Sequence, residues 1–274
     1  MITSTSNPTI KLARSLREKK TRLESGLFFI EGLRIVTEAC QQRSRVETIL
    51  YSPELLVSDW GKHLIQEQGK LGVHLLECDE KVFRSLSSKE GPQGLSAIVH
   101  QNLTPIEKLM MKDGNLYVAL DSVQDPGNLG TILRTADAAG ANGVILLDQS
   151  TDPYDPTAVR ASMGAIFDQV LVKASLEMFG DWKKKYRVSM IGTSGTATMD
   201  YHEFAFPSTL ILLMGSEKKG LRKVHYELCD NVVKIPMLGK SDSLNIAVAT
   251  AVVLYEIFNQ QRAIRIPVMG KGKK

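Results

Sequence analysis

The stretch LYVALDSVQDPGNLGTILRTADAAG, residues 116–140, sets the fold class of the chain. Leu116 to Leu120 are apolar at consecutive positions, as in a strand buried on both faces of a parallel sheet. Pro126-Gly127 makes a tight turn, and Asn128 can cap a helix over 128–139 that contains Arg134 and stops at Gly140. Working outward, apolar runs recur at GVILL (143–147), FDQVLV (167–172), RVSMIG (187–192), STLILLMG (208–215) and NVVKIP (231–236). Helical stretches fit between them at 157–164, 175–186 and 221–229. A last helix, 243–261, carries Leu244, Val248, Ala251, Val252, Tyr255 and Phe258 at helical spacing. Residues 115–262 therefore predict an α/β domain with a mostly parallel sheet flanked by helices.

Upstream the same alternation runs in shorter steps. LFFIEG (27–32), ETILYS (47–52), GVHLLEC (72–78) and GLSAIVH (94–100) predict strands, with helices at 33–42, up to Gly69, and through Val82 and Phe83. This makes 25–100 a smaller α/β domain, and QNLTPIEKLMMKDG (101–114), with Pro105 and Asp113-Gly114, a linker. Before it, 1–24 is expected to form a basic helix opened by Asn7-Pro8, and 263–274 a basic tail.

Composition narrows the function classes. The 274 residues, 43% hydrophobic and 23% charged, suit about two globular domains and exclude a disordered chain. No apolar run approaches the roughly 20 residues of a membrane helix, and the polar, basic start lacks a secretory core, so a soluble cytoplasmic protein is expected. Cys40, Cys78 and Cys229 lie far apart, and the five histidines show no metal-ligand spacing, so neither a disulfide scaffold nor a metal site is expected. The net charge is only +4, but residues 1–24 hold six Lys/Arg against two Glu, and 265–274 hold four with no acid. Basic ends on a near-neutral body fit either a polyanion partner or an ordinary solvated surface.

Ligands of open parallel sheets sit at the carboxyl ends of strands, and three loops there spend Gly, Pro and polar residues. In the first, 121–140, Arg134 stands among small and apolar residues, at a packing edge or aimed at a phosphate. In the second, LLMGSEKKGL (212–221), Gly215 permits close backbone approach to a ligand and Glu217 follows in a turn closed by Gly220. In the third, IPMLGKSDSLNIAVATA (235–251), Ser243 is the expected helix N-cap with Asn245 in the first turn. A phosphate loop is excluded twice: GSEKKGLR lacks the Lys-Ser/Thr ending, and Lys234 stands where GKS (239–241) needs its first glycine. No GxGxxG follows a strand, which removes a dinucleotide site.

At these loops the sequence resembles the SpoU branch of the SPOUT methyltransferases. The matching residues are Asn128-Leu129-Gly130 with Arg134 and Gly140; Gly215-Ser216-Glu217 with Gly220; and Ile235-Pro236-Met237 with Gly239 and Ser243-Leu244-Asn245. VRASMGAIF (159–167) is a weaker echo, and the first hundred residues resemble the substrate-binding domain often found ahead of this one, itself similar to ribosomal RNA-binding proteins. The resemblance implies S-adenosylmethionine-dependent methylation of a ribose 2′-hydroxyl in RNA, 23S ribosomal RNA before transfer RNA, with a non-catalytic RNA-binding or assembly factor as the reading from another class. It also implies a deep trefoil knot, a homodimer whose sites draw on both subunits, and a donor pocket around Thr193, Gly215, Ile235, Met237 and Leu244. Arg134 would hold the nucleotide phosphate and polarise the 2′-oxygen, since a guanidinium keeps its proton. Asn128 and Asn245 would orient the ribose and Arg134. Glu217 would hold the loop backbone, Asn128 or Arg134, and Ser243 would bond near the hydroxyl or cap the helix. DNA, which lacks the 2′-hydroxyl, and membranes are not expected partners.

Overall fold

In the computed structural model, residues 1–42, 45–87 and 91–265 are described. They divide into two compact units, Met1–Asn102 with Asp152–Asp168, and Leu103–Thr151 with Gln169 onward.

The first unit opens with α1 (Pro8–Ser15) and α2 (Lys19–Ser25) where the sequence predicts one basic helix. Asn7 caps α1, its side chain accepting from the N–H of Thr9 at 2.9 Å. The chain then turns because the carbonyls of Leu16 and Arg17 are taken by Nη1 of Arg22, at 2.9 and 2.7 Å. Arg22 is 1% exposed, and its Nε donates to Asp152 at 2.8 Å. It is thus a buried structural cation rather than part of a basic face, and Ile10, Ala13 and Leu16 are core residues. After them come β1 (Leu27–Glu31), α3 (Leu33–Gln41), β2 (Val46–Tyr51), α4 (Asp59–Lys70), β3 (His74–Glu77), α5 (Glu80–Leu86) and β4 (Leu95–His100). The sheet order is β1-β4-β2-β3, with β4 antiparallel to both neighbours and β2 parallel to β3. Val82, Phe83 and Leu86 of α5 close one core with α1 over Leu50 and Ile98.

The second unit begins where the sequence predicts a linker. It forms β5 (Leu103–Thr104) and a 3-10 turn (Ile106–Lys108), and Ile106 and Leu109 are buried because Trp182 packs there, its indole N–H donating to the carbonyl of Leu109 at 3.1 Å. Next are β6 (Leu116–Asp121), α6 (Pro126–Ala138) and β7 (Gly143–Leu147). Residues 152–168, with α7 (Pro156–Ala161) and a 3-10 turn at Ala165–Phe167, return to the first unit, where the rings of Tyr154 and Phe167 lie 4.7 and 6.2 Å from Phe28. The strand expected at 167–172 accordingly starts later, as β8 (Val170–Ala174). Then follow α8 (Leu176–Tyr186), β9 (Met190–Thr193), β10 (Met199–Asp200), β11 (Leu210–Met214), α9 (Lys223–Leu228), β12 (Asn231–Lys234) and α10 (Ile246–Arg265). The expected basic tail beyond Arg265 lies outside the described residues.

All eight strands of this unit are parallel, in the order β10-β12-β9-β11-β6-β7-β8-β5. Alternate residues of the central strands (Tyr117 and Ala119, Ile145 and Leu147, Ile211 and Leu213) pack with Phe179 and Trp182 of α8. Their neighbours Val118, Leu120, Val144, Leu146 and Leu212 are equally buried, which is why these runs are apolar at every position. From β6 the chain steps one way to β7 and β8, then crosses to β9, and β11 enters between β9 and β6. That reversal opens a crevice beyond the strand ends. No described helix is long and apolar enough to cross a membrane.

Candidate functional site

A cavity of about 610 Å³ occupies the crevice at the carboxyl ends of β9, β11 and β12. Thr193 ends β9, Met214 and Gly215 leave β11, Ile235 and Met237 follow β12, and Ser243 to Asn245 lead into α10. With Asn128 and Glu217 these are all of the residues predicted from the sequence except Arg134. Ser194, Gly195 and Asp242 line it as well, without a sequence signal of their own.

The loops are shaped by local rules. Asp125, not Asn128, caps α6, its carboxylate accepting the Asn128 N–H at 2.7 Å, so Pro126 and Gly127 are the first helical residues rather than a turn. Asn128 is thereby released from capping. Likewise α10 starts at Ile246, and its cap is Asn245 rather than Ser243, with Oδ1 accepting the N–H of Ala247 at 2.9 Å. Gly215 is needed for close approach to its own chain. A Cβ there would stand 2.3 Å from the carbonyl carbon of Gly220 and 2.5 Å from the nitrogen of Leu221. The turn is closed by a reciprocal pair, Gly220 N–H to the Ser216 carbonyl at 2.8 Å and Ser216 N–H to the Gly220 carbonyl at 3.2 Å, with Gly220 at φ +59°.

A relay of side chains ties the three loops together. Nδ2 of Asn245 donates to Oδ1 of Asn128 at 3.0 Å, and Nδ2 of Asn128 donates to Oε1 of Glu217 at 2.6 Å. The helix cap fixes the polarity of the whole chain. Asn245 must present Oδ1 to the backbone, so its amide group faces Asn128, whose own amide group must then face the carboxylate. Each amide nitrogen keeps one hydrogen for a ligand. Arg134 lies six residues beyond Asn128 on α6, about 9 Å further along the helix and roughly a third of a turn around it. It is exposed, makes no hydrogen bond or ion pair among the described residues, and does not line the cavity.

Just past the 215–220 turn sits a polar cluster, built on the buried Asp121 and His225, that sequence reasoning missed. Arg222 places Nη2 3.3 Å from Asp121 and 3.3 Å from Asp148, while its N–H donates to Nδ1 of His225 at 2.9 Å. Nδ1 is therefore an acceptor, and Nε2, 3.5 Å from Asp121, carries the ring proton. Asp121, the charge that ends an otherwise apolar strand, was the available hint. His225 has no exposed side-chain surface, and burial pushes its pKa below 6.5 against the opposing pull of Asp121. The unfolded chain thus takes up this proton at higher pH than the folded one. The stability contributed by the neutral ring is complete above about pH 6.5 and is lost as pH falls toward the lowered value. Thermal unfolding should therefore show a drop in Tm from pH 7 to about 5.5. His225→Asn, which keeps an acceptor but cannot titrate, should flatten that slope; an unchanged slope would remove His225 as its source.

The cavity fits a positively charged, partly apolar ligand. Thr193 Oγ1 is buried without a hydrogen-bond partner among the described residues, Glu217 and Asp242 set two negative charges against the one positive charge of Lys218, and Met214, Ile235, Met237 and Leu244 supply apolar wall. Residues 115–255 match the SpoU rRNA Methylase family, and residues 7–97 the MRM3-like substrate binding domain. The chain is 33% identical to the 23S rRNA (uridine(2479)-2′-O)-methyltransferase of Streptomyces viridochromogenes, over 89% of this chain and 86% of that one. It is 32% identical to the 23S rRNA (guanosine(2553)-2′-O)-methyltransferase RlmP of Bacillus subtilis, over 93% and 98%. Its structure is similar to the AdoMet-bound rRNA methyltransferase of Sinorhizobium meliloti, with a TM-score of 0.86, 36% identity and coverage of 94% of this chain and 97% of that one.

Proposed function

We propose, on the premise that the chain belongs to the SpoU rRNA methylase family, that it moves a methyl group from S-adenosylmethionine to a ribose 2′-oxygen of 23S ribosomal RNA. The observation that carries this reading is the cavity at three strand ends, braced by Asn245, Asn128 and Glu217 and lined by the unpartnered Thr193 hydroxyl. Likeness to the 23S rRNA enzymes extends through the first unit as well as the second, which favours ribosomal over transfer RNA.

When bound, S-adenosylmethionine supplies a methyl group on a cationic sulfur. The chain's part is to bind both partners, align them and stabilise the oxygen as it loses its proton. Thr193 and the strand-end backbone hold polar groups of the donor, and Gly215, Ile235, Met237 and Leu244 shape its slot. Asn128 and Asn245, immobilised by the relay, offer their remaining amide hydrogens to the ribose, and Ser243 lines the same cavity. The 2′-oxygen gains the O–CH3 bond as the S–CH3 bond breaks. Its proton leaves through a phosphate oxygen or water, because the Arg134 guanidinium stays charged and acts by polarising the oxygen and gripping the phosphate.

Arg134 is exposed and does not line the cavity of its own chain, so in this reading a second copy brings it to the reaction. Leu238, Leu244, Val248 and Tyr255 are exposed beside the site and along α10, which supplies the apolar surface for such a homodimer. The entry of β11 between β9 and β6 suits the trefoil knot in this reading. DNA is excluded as acceptor by its missing hydroxyl, and the cytoplasm is the place of action.

The test is incubation with tritiated S-adenosylmethionine and separate pools of 23S, 16S and transfer RNA. Label should enter 23S RNA and survive alkaline digestion in an uncleaved dinucleotide, because a methylated 2′-oxygen cannot attack the adjoining phosphate. Label confined to transfer RNA, or released as a base-methylated mononucleotide, would overturn the proposal.

A further inference from the structure

The first unit holds a second cavity, of about 360 Å³, that shares no residue with the site above. Its floor is apolar, from Phe29 and Ile30 of β1, Ile35 of α3 and Val159 of α7. Its rim is basic: Arg17, Arg34 and Arg160 reach it from three separate parts of the unit. All three are exposed, and Arg34 and Arg160 have neither hydrogen bond nor ion pair among the described residues. One carboxylate, Glu31, lines the cavity as well, its Oε1 accepting from the Ser87 hydroxyl, and Arg17 donates to the carbonyl of Leu86. Three guanidinium groups against that one carboxylate, around an apolar floor, leave a positive excess arranged for an anion that brings an apolar body with it.

Two local details sharpen the chemistry. Met163 lies at φ +53°, a left-handed conformation that is costly for a residue with a side chain and is kept where surroundings over-determine it. Gly164 follows at φ +101°, packed so that a Cβ would touch Glu38 at 3.0 Å, and together they hold the Met163 thioether at the cavity, 38% exposed. Opposite, Oε1 of Gln93 accepts the N–H of Leu33 at 3.0 Å, so the amide hydrogens are what Gln93 offers to a ligand. A half-buried phenyl ring, a polarisable sulfur, an amide donor and three guanidinium groups suit a flat ring with acceptors on its edge and phosphate on its flank.

We propose that this cavity takes one unpaired base of the RNA substrate, with Arg17, Arg34 and Arg160 on the flanking phosphates and Gln93 donating to the base edge. The proposal rests on the reading of the substrate as RNA, and it adds a nucleotide distinct from the one methylated. It also gives a role to VRASMGAIF, which contributes nothing to the donor cavity, since Val159, Arg160 and Met163 form one wall of the base site.

The experiment is filter binding of full-length protein to protein-free 23S rRNA across a salt series, with Arg34→Ala, Arg160→Ala and Phe29→Leu, and calorimetry with S-adenosylmethionine alongside. Each arginine variant should bind several-fold more weakly at low salt and reduce the slope of log K against log salt by about 0.7 to 1. Phe29→Leu should weaken binding roughly 5- to 100-fold with the slope unchanged, since stacking releases no counterions. Donor binding should be unaltered throughout, which also reports intact folding. Because Arg34 and Arg160 are exposed and unbonded, their variants remain interpretable even if Phe29→Leu is poorly folded. Arginine variants that bind like wild type with the same slope overturn the base site alone. Loss seen only with assembled ribosomal particles, and none with bare RNA, would make the occupant a protein segment and overturn it too. A wild-type chain that binds no RNA would instead overturn the proposed function, and this site with it.

Discussion

Arg134→Ala is expected to lower the rate of methyl transfer by about 10²–10³-fold or more, the scale for removing one donor aimed at developing oxyanion charge. Tm and donor affinity should stay near wild type. Arg134 is exposed and bonded to nothing among the described residues, so its truncation on a helix surface costs within about 0.5 kcal/mol. Arg134→Lys keeps the charge and loses the planar fork, and should also fall well below wild type. Near-normal turnover of the lysine variant with normal RNA affinity would show that fork geometry is irrelevant. A second experiment tests how the residue reaches the reaction. Mixed dimers of an Arg134→Ala subunit and a Glu217→Ala subunit should recover activity, since one of the two composite sites then has both an intact relay and an intact guanidinium. Inactive mixtures would mean that each chain uses its own Arg134.

Gly215→Ala should abolish donor binding, by 100-fold or more on the reasoning that a tenfold loss is about 1.4 kcal/mol and the turn must break. The added methyl group would meet backbone atoms of Gly220 and Leu221 at 2.3 to 2.5 Å, and backbone cannot swing aside as a side-chain tip can. Opening the turn gives up both Ser216–Gly220 hydrogen bonds and carries Glu217 away from Asn128. The two bonds, at about 1 kcal/mol each, and the strain of repacking predict a stability loss of about 3–5 kcal/mol. Calorimetry with S-adenosylmethionine and a thermal melt measure the two effects. Binding within a factor of three of wild type would mean that the 215–220 turn does not shape the donor slot.

Much of the fold and the site is legible in the residues alone. The strands of the second unit stand out as unbroken apolar runs, because burial on both faces leaves no position for a polar side chain. The loops after them are visible because Gly, Pro and Asn are spent where backbone must turn. Boundaries fail where two residues compete for one role. Asp125 outranks Asn128 as a cap and Asn245 outranks Ser243, in each case freeing or redirecting a side chain for the site. Arg22 reads as surface charge because its partner, Asp152, is 130 residues away.

Local composition and periodicity therefore specified the alternation of strands and helices, the identity of the three functional loops and the residue types that line them, since each depends on neighbours a few positions apart. The meeting of Asn245, Asn128 and Glu217, the absence of Arg134 from the cavity they line and the return of 152–168 to the first unit depend on where β11 enters the sheet and which distant surfaces close on each other. The Asn245–Asn128 contact alone spans 117 residues and the Arg22–Asp152 contact 130, and a polar group chooses such a partner only when packing has removed water as the alternative.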